Sequence, residues 1–192
     1  MIVITGGIGC GKSTVLKQFS AFGRQVADAD DLTHALYVPG SPLLAELACE
    51  FGAGILTSDG ALDRATLARI VFAQPDALAT LEALIHPRVF NRLRELDEDA
   101  YGKLVAAIPL WYECGGAEKF PGIPPKVVSV WCNDAIQWER LRTRGWIDEH
   151  ITQRLAAQFN KDTKLRYADF GIINNGTLQE LSEQCRHINA AL

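Results

Sequence analysis

The chain has 192 residues, 48% of them apolar and 22% charged, with a formal net charge of −4. That is room for one folded core with small inserted subdomains, and the acidic balance argues against a broad surface for nucleic acid or anionic membrane. The longest apolar stretch, Leu104 to Tyr112, is interrupted by Pro109 and is far too short to cross a bilayer.

Met1 leads directly into the first apolar run, so no cleavable leader is expected. Five cysteines, Cys10, Cys49, Cys114, Cys132 and Cys185, are scattered and form no C-x-x-C pair. The expectation is free thiols in a reducing cytoplasm, with neither a disulfide frame nor a zinc site.

The first predicted element is a buried strand over Ile2–Thr5. It runs into Gly6-Gly7-Ile8-Gly9-Cys10-Gly11-Lys12-Ser13, the spacing G-x-x-x-x-G-K-[ST], followed by Thr14. Glycines admit positive φ and bring successive N–H groups onto phosphate oxygens. The helix beginning near Lys12 turns its positive end on the same anion. Lys12 has the reach to span β- and γ-phosphates, and the Ser13 hydroxyl suits Mg²⁺. The motif predicts a nucleoside triphosphate site. Cys10, at the amino end of this helix, is either an oxidisable thiol of lowered pKa or an inert small residue.

A helix over Thr14–Phe22, stopped at Gly23, leads to a second strand, Gln25–Ala27. Asp28, Asp30 and Asp31 then stand at the carboxyl end of a parallel strand, the edge where open α/β sheets bind ligands. With Ala27 to Asp30 extended, Asp28 and Asp30 share one side, and Asp30 can take the proton of an attacking hydroxyl. The alternative is charge and capping for the helix beginning near Leu32. For Asp28 a structural or metal-shell role fits equally.

Residues 28 to 103 are too many for one crossover. Helical patterns cover Leu43–Phe51, Ala65–Phe72, Ala77–Ile85 and Arg88–Leu96, with turns at Pro39-Gly40, Asp59-Gly60 and Gln74-Pro75. This is a helical insertion, and its acidic end, Glu95, Asp97, Glu98 and Asp99, reads as a solvated helix terminus. Continuous apolar strands follow at Leu104–Ile108 and Val127–Trp131, as expected where helices cover both sheet faces. Asp134 with Gln137, and Thr177 with Glu180, have the spacing of capping boxes. Arg140 and Arg144 share a helix face while Arg142 points elsewhere. A mobile basic helix here would close over a polyphosphate and exclude water; the alternative is a surface helix balanced by Glu139, Asp148 and Glu149. A last strand, Gly171–Ile173, and a helix over about Leu178–Ala190 complete the pattern. Trp111, Trp131, Trp138 and Trp146 are expected to be packing residues.

Two lookalikes fail. Asn160-Lys161-Asp162 lacks the spacer of the guanine-binding N-K-x-D pattern, and Asp169-Phe170-Gly171 is expected to be a turn entering the last strand, not a metal-binding D-F-G.

Taken in order, these residues resemble the dephospho-coenzyme A kinases. The resemblance runs along nearly the whole chain. It includes Thr5–Thr14 around the loop, Asp28-Ala29-Asp30, Pro39-Gly40, Phe51-Gly52, and Asp59-Gly60 with Leu62-Asp63-Arg64. It continues through Leu81-Glu82, His86-Pro87, Pro109-Leu110 with Glu113, Gln137 with Arg140 and Arg144, Gln158, Ala168-Asp169 and Asn174-Asn175-Gly176. The resemblance implies an α/β fold of the P-loop NTPase type, three-layered, with a five-stranded parallel sheet. It also implies a nucleotide core (1–27, 104–135 and 166–192), a helical acceptor-binding insertion (28–103) and a lid (136–165).

The activity implied is ATP-dependent phosphorylation of the ribose 3′-hydroxyl of dephospho-coenzyme A, the last step of coenzyme A synthesis. By position, Gly9, Cys10, Gly11, Lys12, Ser13 and Thr14 would hold the ATP phosphates, with Ser13 on Mg²⁺. Lys12 and Arg140 would stabilise the transferring group, with Arg144 beside it and Asp30 as base. Arg64 and His86 would help seat the acceptor near Asp28 and Asp30; a surface helix start and a packed histidine are the plainer alternatives. Asn174 and Asn175 would meet adenine or simply form an Asn-Gly turn. Cys10 departs from the family's more usual serine, Trp111-Tyr112 replace smaller apolar residues, and the stretch from Cys114 to Pro125 is longer than a minimal connection. A nucleoside or nucleotide kinase and a nucleotide-gated switch remain as rival functions. Nucleic acid and membrane are not expected partners, and oligomeric state is open.

Overall fold

The computed structural model describes residues 1–120 and 124–192; three residues of the Cys114–Pro125 connection lie outside the described residues. In chain order the elements are β1 (Ile2–Gly6), α1 (Lys12–Ala21), β2 (Val26–Asp28), α2 (Ala29–Leu36), α3 (Pro42–Phe51), α4 (Arg64–Ala73) and α5 (Pro75–Asp99). Then come β3 (Val105–Ala107), β4 (Lys126–Trp131), α6 (Asp134–Thr143), α7 (Asp148–Ala156), α8 (Lys161–Tyr167), β5 (Phe170–Ile173) and α9 (Leu178–Ala191). The chain divides into two compact units, Met1–Ala29 with Glu95–Leu192, and Asp30–Arg94.

The first unit is built on a five-stranded parallel sheet in the order β2-β3-β1-β4-β5. β1 is central and every one of its residues is buried, which explains a continuous apolar run in place of alternation. Successive side chains take opposite faces. Ile2 and Ile4, with Val105, Ala107, Val128 and Val130, meet Val15, Leu16 and Phe19 of α1 and Leu181, Cys185 and Ile188 of α9. The opposite face carries Thr5, whose hydroxyl donates to the Pro109 carbonyl at 3.2 Å. α8 lies against β1 and β4 there. Its Lys164 is fully buried and donates to the same Pro109 carbonyl at 2.8 Å.

Lys164 also pairs with Glu113 at 2.7 Å, and the Glu113 Oε1 that it meets accepts the Phe159 N–H at 2.9 Å. One ion pair therefore ties the segment after β3 to the start of α8.

The helix ends carry their own signals. Thr177 and Glu180 form the expected capping box. At α6 the structure corrects the expectation: Asn133 is the N-cap, accepting from the Ile136 N–H at 2.9 Å. Asp134 and Gln137 are thereby released for other partners. The Ala27–Asp30 segment also differs from the extended form expected. β2 ends at Asp28 and α2 starts at Ala29, so Asp28 and Asp30 do not alternate along one strand. Asp30 and Asp31 instead occupy the first turn of α2, where the helix dipole favours negative charge.

In the second unit, Ser41 and Asp63 cap α3 and α4. The two helices expected around His86-Pro87 are one, α5, with Pro87 inside it. A proline within a helix removes one backbone donor. Next to it the Arg88 guanidinium donates to the Leu84 carbonyl at 2.6 Å and, through its other nitrogen, to Glu46 of α3 at 2.6 Å. The side chain strengthens the helix where the proline weakens it, and joins it to its neighbour.

Of the tryptophans, Trp111 is a core residue, buried against Phe120 with ring centroids 5.9 Å apart. Trp131 is half-buried, donates Nε1–H to Asp162 at 2.6 Å and carries the Lys161 ammonium over its ring. Trp138 lies beneath Arg142. Asp169, of the D-F-G lookalike, accepts from the Val127 N–H and from Lys126, both at 2.9 Å, a purely structural use.

Truncating one member of a buried ion pair strands the other charge, at about 3 kcal/mol or more. Glu113→Ala is expected to lower unfolding free energy by about 3 kcal/mol in urea titrations. Adding Lys164→Met should restore part of that loss, which a double-mutant cycle measures.

Candidate active site

The segment between β1 and α1 turns back on itself through Gly9 (φ 77°) and Gly11 (φ 106°), both in the left-handed region that favours glycine. Gly11 is the N-cap of α1. Among the described residues α1 has neither a side-chain cap nor an acidic residue in its first turn. Its amino end is left to a ligand of negative charge.

What orients the loop comes from outside it. Gln137 of α6 donates Nε2–H to the Ile8 carbonyl at 2.6 Å, and Asn174, just past β5, donates Nδ2–H to the Cys10 carbonyl at 2.8 Å. In a trans peptide the N–H of the next residue points opposite to the carbonyl. Holding the Ile8 and Cys10 carbonyls outward therefore turns the Gly9 and Gly11 N–H groups inward, to the concave side of the loop. Lys12 closes that side, its ammonium donating to the Gly6 and Gly7 carbonyls at 2.9 and 3.0 Å. The result is a cup of amides and one ammonium, shaped for phosphate oxygens.

Arg140 joins this arrangement. Its guanidinium donates to the Asn174 carbonyl at 3.1 Å and, more weakly, to the Cys10 carbonyl at 3.5 Å. Arg144, the C-cap residue of α6, is exposed and shares with Arg140 an open groove of about 460 Å³, lined also by Ile136, Glu139 and Thr143. Arg142 is turned away, bound through two nitrogens to Asp148 at 2.8 and 2.7 Å. That pairing holds the Asp148 carboxyl below its usual range.

A cation that sequence reading missed stands beside the loop. Lys161 at the start of α8 is nearly buried and donates to Gln137 Oε1 at 2.8 Å and to Asp134 at 2.5 Å. Gln137 is thus fixed at both ends of its amide, between Lys161 and Ile8. Spacing marked Gln137 for a capping box and Lys161 for a failed motif and gave neither its role here, because both act through tertiary neighbours.

The other expected site residues are placed as follows. Asp28 is half-buried at the end of β2, and Ser13 is exposed in the first turn of α1. Asn175 accepts the Asn133 N–H at 2.8 Å, so it braces the start of α6. In the second unit Asp30 is exposed in α2, and Arg64, the first residue of α4, lies over the Tyr37 ring at 5.4 Å. Burial raises the Tyr37 pKa, opposed by the Arg64 charge. His86 is half-buried in α5, edge-on to Phe90 with centroids 6.3 Å apart.

A parallel sheet whose first strand ends in an amide-lined, lysine-closed loop defines a P-loop nucleotide-binding fold. The family model for dephospho-CoA kinase (CoaE) matches residues 1–180. A dephospho-CoA kinase of Bdellovibrio bacteriovorus is 40% identical over 184 residues, covering 94% of this chain and 90% of that protein. The crystal structure of TT1252 from Thermus thermophilus superposes with a TM-score of 0.83 at 32% identity, covering 100% of this chain and 96% of that one. Dephospho-CoA kinase from Campylobacter jejuni superposes at 0.68 with 25% identity, covering 98% and 94%. The chain belongs to the dephospho-CoA kinase family.

Removing the Asn174 amide leaves the Cys10 carbonyl only the weaker bond from Arg140, at about 1 kcal/mol or more. Asn174→Ala is expected to weaken MgATP binding by roughly tenfold, as read by isothermal titration calorimetry. An unchanged affinity would mean that the loop holds its shape unaided.

Proposed function

We propose that this chain transfers the γ-phosphoryl group of ATP to the ribose 3′-hydroxyl of dephospho-coenzyme A, giving coenzyme A and ADP. The observation that carries the reading is the family match over residues 1–180, on a chain whose loop amides are turned to the concave side. The loop from Gly9 to Thr14 grips the triphosphate, with the Gly9 and Gly11 N–H groups turned inward. Lys12 leaves the Gly6 and Gly7 carbonyls for phosphate oxygens, and it and Arg140 spread over the charge that builds on the transferring group. Arg144, in the same groove as Arg140, adds a second guanidinium to the lid, residues 136–165. Asn174 and Asn175 border the base.

On the acceptor side, Asp30 takes the proton of the sugar hydroxyl, Asp28 orients it, and Arg64 and His86 seat the remainder of the molecule. The support is their position in the family pattern, together with the place of Asp30 two residues beyond the carboxyl end of β2.

Mg²⁺ fits this donor set. Among the described residues no group of three or more His, Cys, Asp or Glu could hold a metal alone, whereas Mg²⁺ keeps its waters and takes most other ligands from phosphates. Ser13 would supply the protein hydroxyl. When bound, the ion neutralises charge on the β- and γ-phosphates.

Among the described residues no helix is long and apolar enough to cross a membrane, and no two cysteines are joined in a disulfide. A reducing cytoplasm is the compartment this reading implies, one in which scattered cysteines stay as thiols.

Coupled ADP release with purified protein tests the reaction. Rapid turnover is expected with dephospho-coenzyme A and not with nucleoside monophosphates; the reverse would make it a nucleotide kinase, and slow acceptor-independent hydrolysis a switch. Asp30→Asn is expected to lower kcat by about 10²–10⁴ while leaving MgATP affinity within threefold, the range for losing acid–base assistance. A loss below threefold would reassign the proton acceptor.

A further inference from the structure

Gln137 is 2% exposed, and its amide has two ends of nearly equal size and opposite polarity. Burial alone does not choose between them, since a half-turn of the last side-chain torsion exchanges the two ends in the same space. The phosphate loop is sensitive to that choice. With Nε2 toward Ile8 the amide donates to the carbonyl at 2.6 Å. With Oε1 there, two oxygens would face one another and the carbonyl would lose its hold.

Lys161 makes the choice. Its ammonium has donors and no acceptor, so only Oε1 suits it, and Oε1 is what it meets, at 2.8 Å. A charged donor makes that bond roughly twice as strong as a neutral one. The ammonium is itself confined. Asp134 accepts from it at 2.5 Å, and the Trp131 ring lies 5.4 Å away, steadied by its own bond to Asp162 at 2.6 Å. Gly7 leaves room for the assembly: a β-carbon there would stand 3.1 Å from Gln137 Nε2 and 3.3 Å from Lys161 Cβ.

We propose that Lys161 is a positioning residue for the phosphate loop: its charge sets the orientation of the Gln137 amide, and through it the Ile8 carbonyl and the Gly9 N–H. The effect on nucleotide rests on the loop being the ATP site. Asp134 is the lesser partner, 85% exposed and open to competing water. Without a charge at position 161 the amide is free to turn, and part of the triphosphate's binding is spent on restoring the loop. The bound complex that goes on to react keeps its geometry. The loss therefore falls on MgATP affinity and KM, and not on kcat.

Isothermal titration calorimetry and steady-state kinetics on the full chain test this, with urea midpoints showing that each variant is folded. Lys161→Met is expected to weaken MgATP binding about tenfold and to raise KM in step, with kcat within threefold of wild type. Gln137→Met should do the same. The double variant should bind no more weakly than Gln137→Met alone, because the lysine acts through the amide. Asp134→Asn should stay within threefold. Where Lys161→Met does not fold, the neutral Lys161→Gln takes its place with the same pattern expected. Losses that multiply in the double variant overturn the proposal, as does a tenfold fall in kcat, which would put the lysine on the transferring group. An Asp134→Asn loss equal to that of Lys161→Met also overturns it, leaving only an ion pair between two helices.

Amide exchange in the nucleotide-free protein, followed by nuclear magnetic resonance, separates this proposal from the reading of the loop. The Cys10 N–H, bound to the Gly7 carbonyl at 3.2 Å, should exchange at least tenfold faster in Lys161→Met. Unchanged exchange overturns the proposal. Faster exchange in a variant whose wild-type parent binds no MgATP upholds the role of the lysine and sinks the loop as the ATP site.

Discussion

Two outward-held carbonyls govern the phosphate loop. Gln137 pulls on Ile8 and Asn174 on Cys10, and peptide planarity converts those pulls into inward-facing amides. Glycine at positions 9 and 11 permits the shape, but permissive residues populate many conformations and choose none. The choice is made by side chains more than a hundred residues away. A β-carbon at Gly11 would run into the Asn174 amide, so the clamp and the glycine require each other. The same logic explains why the first turn of α1 carries no acid while α2, α6 and α7 do: a carboxylate there would compete with the phosphate.

The second layer of support comes from α8. Its seven residues place two lysines one turn apart. Lys164 is sunk against Glu113 and Pro109, and Lys161 braces Gln137 beside the loop. Burying ammonium groups is costly unless each proton finds an acceptor, and here the acceptors come from two separate stretches of chain, the segment after β3 and α6. The short helix acts as a peg whose charges fix the segment after β3 and the amide that holds Ile8. Arg140 extends the same network to the end of β5, so a residue suited to neutralise phosphate is already part of the scaffold that shapes the loop.

Much of this was legible beforehand, and the misses have physical causes. The strands were readable because burial on both faces gives continuous apolar runs, and their ends shifted only by a residue or so. Thr177 with Glu180 worked as a capping box because both halves of that motif are local. Asp134 with Gln137 has the same spacing but failed: Asn133 supplied the cap, and Gln137 gained a buried carbonyl to serve. The break expected at His86-Pro87 failed because the Arg88 side chain adds a bond to the Leu84 carbonyl beside the proline and packing carries the helix through. The extended Ala27–Asp30 segment failed because two acids in a first turn favour starting α2 at once.

Local order along the chain was enough to set the phosphate loop, the alternation of strands and helices and the family, since each depends on neighbours within a few residues or on a pattern read in sequence. The tertiary structure alone decided which way the loop's peptides face and which lysines are buried. Those outcomes depend on groups far apart in sequence. Their partners are chosen by the sheet order β2-β3-β1-β4-β5, which sets β4 and β5 beside the strand that feeds the loop.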